Sequence, residues 1–280
     1  MMQFLNVAAY KFVQLSEAGL PALREVMREK TAELDMKGTI LLSPEGINLF
    51  LAASADNMQA FRDFMTTYPE FDDLYYKESF SDYQPFTRML VKLKKEIIAF
   101  GIDGIAPEEH TAARLDPATL KKWYESGKDM VVLDTRNDYE VKVGTFENAV
   151  ELDLQTFKEF PNAIADLPEE MKDKPVVTFC TGGIRCEKAA TLMEKAGFKE
   201  VYQLDGGILN YFEQVGGEHY DGECFVFDKR VAVNAQLEET DTIQCYACQN
   251  PLTAAEQKEA EGVCPYCHAD LPVAQQEKIA

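Results

Sequence analysis

Apolar residues in this chain change their spacing repeatedly, and the changes outline its elements. Residues 4–13, FLNVAAYKFV, form a short apolar run and read as a strand. Residues 16–34 switch to helical spacing, with Leu20, Leu23, Val26 and Met27 on one side. Ser16 is placed to cap that helix, and Pro21 falls in its first turn, where a missing N–H is tolerated. GTILLS, the turn Pro44-Glu45-Gly46 and INLFLAA read as a hairpin. A second amphipathic helix follows over 55–67, with Met58, Phe61, Phe64 and Met65, and then extended segments at 72–79 and 87–99. The order β-α-β-β-α-β is ferredoxin-like, so residues 1–100 are expected to form an α+β domain.

Periodicity stops over 101–116, where glycine, proline and charge cluster; this stretch reads as a linker, with His110 solvated or lining a cleft between domains. Beyond it, helical and extended segments alternate. A helix over 117–126 carries Leu120 and Trp123. Strands are expected at 130–134, 149–152, 176–179 and VYQLDGG, with a helix and loop over 154–167 and a helix over 186–196. Such alternation implies an α/β domain, 117–222, with a largely parallel sheet covered on both faces. Ligands of such sheets bind at the carboxyl ends of strands, where Asp134 and Cys180 fall. Residues 223–280 are a small cysteine-rich extension, with 224–233 read as a strand.

Composition narrows the partners. The formal net charge of −20 argues against indiscriminate nucleic-acid binding, which needs local cations. The first hundred residues are close to balance, however, and Arg88, Lys92, Lys94 and Lys95 cluster there as a candidate RNA-binding surface or a solvated strand face. Tyr75, Tyr76, Phe80, Tyr83 and Phe86 lie nearby, as packing residues or as platforms for bases. No apolar run reaches membrane-spanning length and no secretory signal opens the chain, so a cytoplasmic location is expected.

Seven cysteines carry the candidate chemistry. Cys180 lies between a strand and a helix N-terminus, in the loop Cys180-Thr-Gly-Gly-Ile-Arg-Cys186. Thr181, Gly182, Gly183, Ile184 and Cys186 can form a backbone nest for an anion, be it a thiolate, a persulfide or a bound oxyanion. Gly182 and Gly183 permit unusual dihedrals, and Arg185 supplies a charge or a substrate-facing fork. Cys186 is either packed or a resolving thiol. Asp134, Asp138 and Glu140 near Arg136 read as a network holding a loop. Cys224 reads as packed. Cys245, Cys248, Cys264 and Cys267 form two CxxC pairs whose spacing suits one closed, structural Zn²⁺ site; His268 is a poorer ligand.

The CxxGxR pattern of Cys180, Gly183 and Arg185, with LDTRNDYE upstream and QLDGGI downstream, resembles a rhodanese domain. The longer string FCTGGIRCEKAA, with EGIN at Glu45–Asn48 and MLVKLKKEI before the linker, resembles the rhodanese-domain tRNA uridine hydroxylases over about residues 3–230. Where generic rhodaneses carry a GHIPGA turn, this chain has GTFENA at 144–149, which agrees with that subgroup. The resemblance implies 5-hydroxylation of the wobble uridine of tRNA, with molecular oxygen as co-substrate, the anticodon loop as partner and Cys180 as the active cysteine. No flavin, haem or nonhaem-iron motif is legible. The thiol chemistry alone leaves two other readings open, a sulfurtransferase using a Cys180 persulfide and a non-catalytic binding scaffold.

Overall fold

The computed structural model describes residues 3–271. The N-terminal unit runs β1 (Phe4–Phe12), α1 (Leu20–Glu33), β2 (Lys37–Ser43), β3 (Gly46–Ala53), α2 (Ala55–Met65) and β4 (Lys77–Ser81), with β5 (Met89–Leu93) added. The sheet order is β4-β1-β3-β2-β5; the first four strands pair antiparallel, and β5 joins the edge parallel to β2. One face carries Val7, Ala9, Ile40, Leu42, Leu49 and Leu51 against Met27, Met58 and Phe61 of the helices. In α1 the buried stripe runs through Leu20, Met27 and Thr31, while Val26 is exposed, one position too far round the helix. The opposite face bears the register rows Lys77–Ala8–Phe50 and Tyr10–Asn48. It packs on the second unit rather than on solvent, which explains why β3 is apolar almost throughout instead of alternating.

The second unit contains β6 (Ala113–Leu115), α3 (Pro117–Glu125), β7 (Val131–Asp134), α4 (Asp138–Val141), β8 (Gly144–Phe146), α5 (Phe160–Ala165), β9 (Pro175–Phe179), α6 (Ile184–Lys195), β10 (Glu200–Leu204) and α7 (Gly207–Val215). Four strands make a parallel sheet, β6-β10-β9-β7, with apolar clusters on both sides. Its first strand, β6, falls inside the segment read as linker. Three residues are too few to show a period, and the strand exists because β10 pairs with it. Residues 149–152 form no strand and contribute only a bridge from Val150 to Leu133.

Beyond β11 (Tyr220–Gly222), which pairs with β8, the stretch 224–233 is not one strand but two, β12 (Cys224–Phe225) and β13 (Ala232–Val233), folded against each other. Asp228 reverses the chain by accepting the Arg230 N–H at 3.0 Å and its guanidinium at 2.6 and 2.9 Å. A small lobe completes the chain: β14 (Ile243–Gln244), β15 (Pro251–Leu252) and α8 (Ala254–Glu259).

The two large units are clamped by one buried lysine. Lys188 of α6 reaches Glu45 and Glu96, each at 2.8 Å, and donates to the Ile98 carbonyl at 3.3 Å. Glu45 also accepts the Ile97 N–H at 2.6 Å, and the Asn48 amide donates to the Ile97 carbonyl at 3.1 Å. The string EGIN thus docks one unit on the other.

Candidate active site

β9 ends at Phe179 and delivers Cys180 to a tight loop. α6 begins at Ile184, two residues earlier than its spacing suggests, so Arg185 and Cys186 lie in its first turn. The Cys180 Sγ accepts the Gly183 N–H at 3.1 Å and the Arg185 N–H as well. Gly183 has φ +95°, a conformation that favours glycine. Gly207 matters as much: a Cβ there would lie 2.4 Å from the Cys180 carbonyl oxygen and 2.7 Å from the Gly183 nitrogen. That close approach lets Ile208 N–H bond the Cys180 carbonyl at 3.0 Å and Leu209 N–H bond that of Thr181 at 3.1 Å. Gly182 carries neither constraint; its backbone is not left-handed, and a Cβ would meet nothing. The Thr181 hydroxyl turns away from the sulfur, toward Glu140 and the Phe225 carbonyl.

Burial works to raise the Cys180 pKa, but the Cys186 thiol, the Arg185 charge and the N–H groups of Arg185 and Gly183 outweigh it and bring the thiol down to about 5. Cys186 is held protonated by burial and by the neighbouring thiolate; its sulfur lies 3.8 Å from the Thr135 hydroxyl. Cys224 is buried, and burial pushes its pKa up to about 12.

The acidic network divides into two pairs. Arg136 is buried and forks onto Asp134, with a further bond to the Gly144 carbonyl at 2.7 Å. Arg185 forks onto buried Glu140 at 2.5 and 2.7 Å. Its guanidinium is therefore occupied by Glu140, which favours the fixed charge over the substrate-facing fork among the two roles its position allowed. Asp138 belongs to neither pair; it accepts from Gln155 at 2.8 Å.

Cys180 and Arg185 line a small, mainly apolar cavity of about 40 Å³. Its other wall is the N-terminal sheet, through Ala8, Tyr10, Asn48, Phe50 and Lys77, and Phe227 closes one side. A wider polar cleft adjoins it, sharing Tyr10 and Lys77 and adding Tyr75, Arg114, Glu187 and Asp205. Glu187 is buried there and accepts from Tyr10 at 3.0 Å and Arg114 at 2.8 Å. Tyr10, Lys77 and Phe227 carry no motif in the sequence. The one signal the sequence offers is that Lys77 stands amid the aromatic run of 75–86.

His110 lies outside both cavities and pairs with Glu194 at 2.6 Å on the surface. Tyr75, Phe80 and Tyr83 are exposed, and only Tyr75 of these opens on the polar cleft. Arg88, Lys92, Lys94 and Lys95 are all exposed along or just beyond edge strand β5, across the sheet from β4. In the C-terminal lobe, the sulfurs of Cys245, Cys248, Cys264 and Cys267 all lie within 4.8 Å of one another, and His268 is not among them. Tetrahedral Zn–S bonds of ~2.3 Å place sulfurs about 3.8 Å apart. The pairs Cys245–Cys267 and Cys248–Cys264 stand at 3.7 and 3.8 Å, so the four thiols fit such an ion.

Among the described residues no helix is long and apolar enough to cross a membrane. Residues 4–97 match the UPF0176 acylphosphatase like domain, and 116–214 match the rhodanese-like domain. A protein of Cupriavidus necator named tRNA uridine(34) hydroxylase is 51% identical over 275 residues, covering 95% of this chain and 97% of its own. Proteins of the same name from Ralstonia nicotianae and Paraburkholderia xenovorans are 50% and 46% identical, covering 95% and 98% of this chain and 97% and 99% of their own. Among solved structures, the rhodanese-like domain of an Anabaena sp. protein is similar at 23% identity and a TM-score of 0.33, covering 39% of this chain and 78% of that one.

Proposed function

This chain belongs to the tRNA uridine(34) hydroxylase family, and from that premise we propose that its Cys180 cavity hydroxylates carbon 5 of the wobble uridine, with molecular oxygen as oxidant. The observation that carries this reading is that the Cys180 thiolate opens onto a cavity walled by a second domain. A single-stranded anticodon base can be splayed at little cost into the cleft of about 270 Å³ that adjoins this cavity, and the exposed ring of Phe227 offers a stacking face beside Cys180. The thiolate adds to carbon 6, which makes carbon 5 electron-rich and ready for oxidation. Loss of the carbon 5 proton then expels the thiolate. Overall, C–H becomes C–OH; the second oxygen atom leaves as water, with two electrons and two protons from two small-molecule thiols, which leave as a disulfide.

Asp134 and Arg136 hold the loop, while Arg185, tied to Glu140, acts on the sulfur through its charge. The exposed Arg88, Lys92, Lys94 and Lys95 meet phosphates of the tRNA. The four C-terminal cysteines hold a structural zinc, whose chemistry is to cross-link that lobe. The expected location is the cytoplasm, where tRNA is modified.

The test is nucleoside mass analysis of tRNA incubated with the purified chain under ¹⁸O₂ and a thiol. Labelled 5-hydroxyuridine, lost in Cys180→Ala, is the expected result. Its absence, with sulfur transfer from thiosulfate to cyanide instead, would make the protein a sulfurtransferase, for which the same loop would hold a persulfide.

A further inference from the structure

The cations around Cys180 are, with one exception, already neutralised. Arg185 is paired with Glu140, Arg136 with Asp134, Arg114 with Glu187, Lys188 with Glu45 and Glu96, and Arg230 with Asp228. The exception is Lys77 of β4. It is 6% exposed, and among the described residues its ammonium has neither a hydrogen bond nor an ion pair. It rests only against the ring faces of Tyr10 and Tyr75, at 5.1 and 5.2 Å. It lines the Cys180 cavity and the polar cleft that leads into it. Its stem is buried while the ammonium keeps a small exposed area at the polar cleft; a cation held there without a partner marks a place where an electron-rich group is expected to arrive.

We propose that Lys77 is a catalytic residue donated by the N-terminal domain: its ammonium binds the oxygen of a uracil carbonyl and stabilises the oxyanion formed when the Cys180 thiolate adds to the ring. This rests on the base-adduct reading above and assigns that reaction its electrophile. In the step, the S–C6 bond forms and the C5=C6 π bond breaks. The electron pair spreads over C5 and O4, so the negative charge moves from sulfur to the ring and no proton is transferred. Apolar walls at Ala8, Phe50 and Leu209 keep water from weakening the contact. Burial lowers the Lys77 pKa to about 8 against the opposing pull of Cys180, Asp205 and Glu187, which leaves it protonated at pH 7.

The experiment uses the full chain under O₂ with a small-molecule thiol and an anticodon stem-loop carrying 5-fluorouridine; once carbon 5 is oxidised, its fluorine leaves no proton to lose, so the Cys180 sulfur stays attached. Adduct formation is followed by intact mass at pH 7 in wild type, Lys77→Met, Lys77→Gln and Lys77→Arg. Alkylation of Cys180 by iodoacetamide is measured in parallel. Lys77→Met and Lys77→Gln are expected to slow adduct formation about 10²–10³-fold beyond any change in alkylation, with RNA affinity changed by less than about threefold and Lys77→Arg recovering part of the rate. Wild-type adduct formation matched by Lys77→Met overturns the assignment alone. A loss fully accounted for by slower alkylation does the same, making Lys77 a counter-ion of the thiolate. No adduct in wild type overturns the base-adduct reading, and the inference with it.

Discussion

Burial alone raises a thiol's pKa, and Cys186 and Cys224 follow that rule; Cys180, equally buried, goes the other way because two N–H groups, a thiol and a cation converge on it. With its value near 5, Cys180 is a thiolate throughout the neutral range. Its alkylation rate should be flat between about pH 6.5 and 8 and fall roughly tenfold per unit below about 5. A rate that climbs tenfold from about pH 7 to 8 would mean an ordinary thiol. The glycines separate just as sharply. Gly207→Ala puts a Cβ against the Cys180 carbonyl at a φ of +69°, whereas Gly182→Ala meets open space. The first should cost about 1–3 kcal/mol or more by urea unfolding and the second less than about 1 kcal/mol. Equal losses would remove Gly207 as the support of the loop. CTGGIRC in the sequence marks the nest, but the glycine that carries most of the constraint lies in the DGG turn more than twenty residues away.

At the level of elements, α6 has two tasks. Its first turn presents Arg185 and Cys186 to the sulfur, and one further turn along Lys188 reaches into the other domain. Lys188→Met leaves Glu45 and Glu96 facing each other without a cation. Breaking a buried pair costs about 3–5 kcal/mol, so the two large units should unfold in separate thermal steps instead of together. A single transition at the wild-type temperature would show that the remaining contacts, the Tyr10–Glu187 hydrogen bond among them, suffice to join them. The strands show the limit of periodicity. β3 is apolar almost without interruption because its sheet is covered on both faces, and only the tertiary arrangement reveals the second cover. The 224–233 stretch has the composition of one strand, yet the Asp228–Arg230 ion pair folds it into two and sets Phe227 at the cavity.

The whole molecule joins one site from two domains and appends a lobe with little core of its own. That lobe buries Ile243, Leu252 and Leu271 beside Cys245 and Cys264, too few apolar side chains for independent stability. Elemental analysis should find one zinc per chain. Its removal by a chelator should speed hydrogen exchange over 243–271 while leaving Cys180 alkylation unchanged. Exchange that ignores the chelator would make the four thiols mere neighbours.

The sequence by itself determined the βαββαβ order, the alternating unit that follows it, the loop cysteine and the four clustered thiols that could hold a metal, because each rests on local spacing or on residues a few positions apart. Tertiary structure alone decided that Arg185 is tied to Glu140, that EGIN is a docking device, and that an unpaired lysine from β4 faces the thiolate. These depend on which distant charges end up neutralising one another, and a chain read in one dimension carries no record of that pairing.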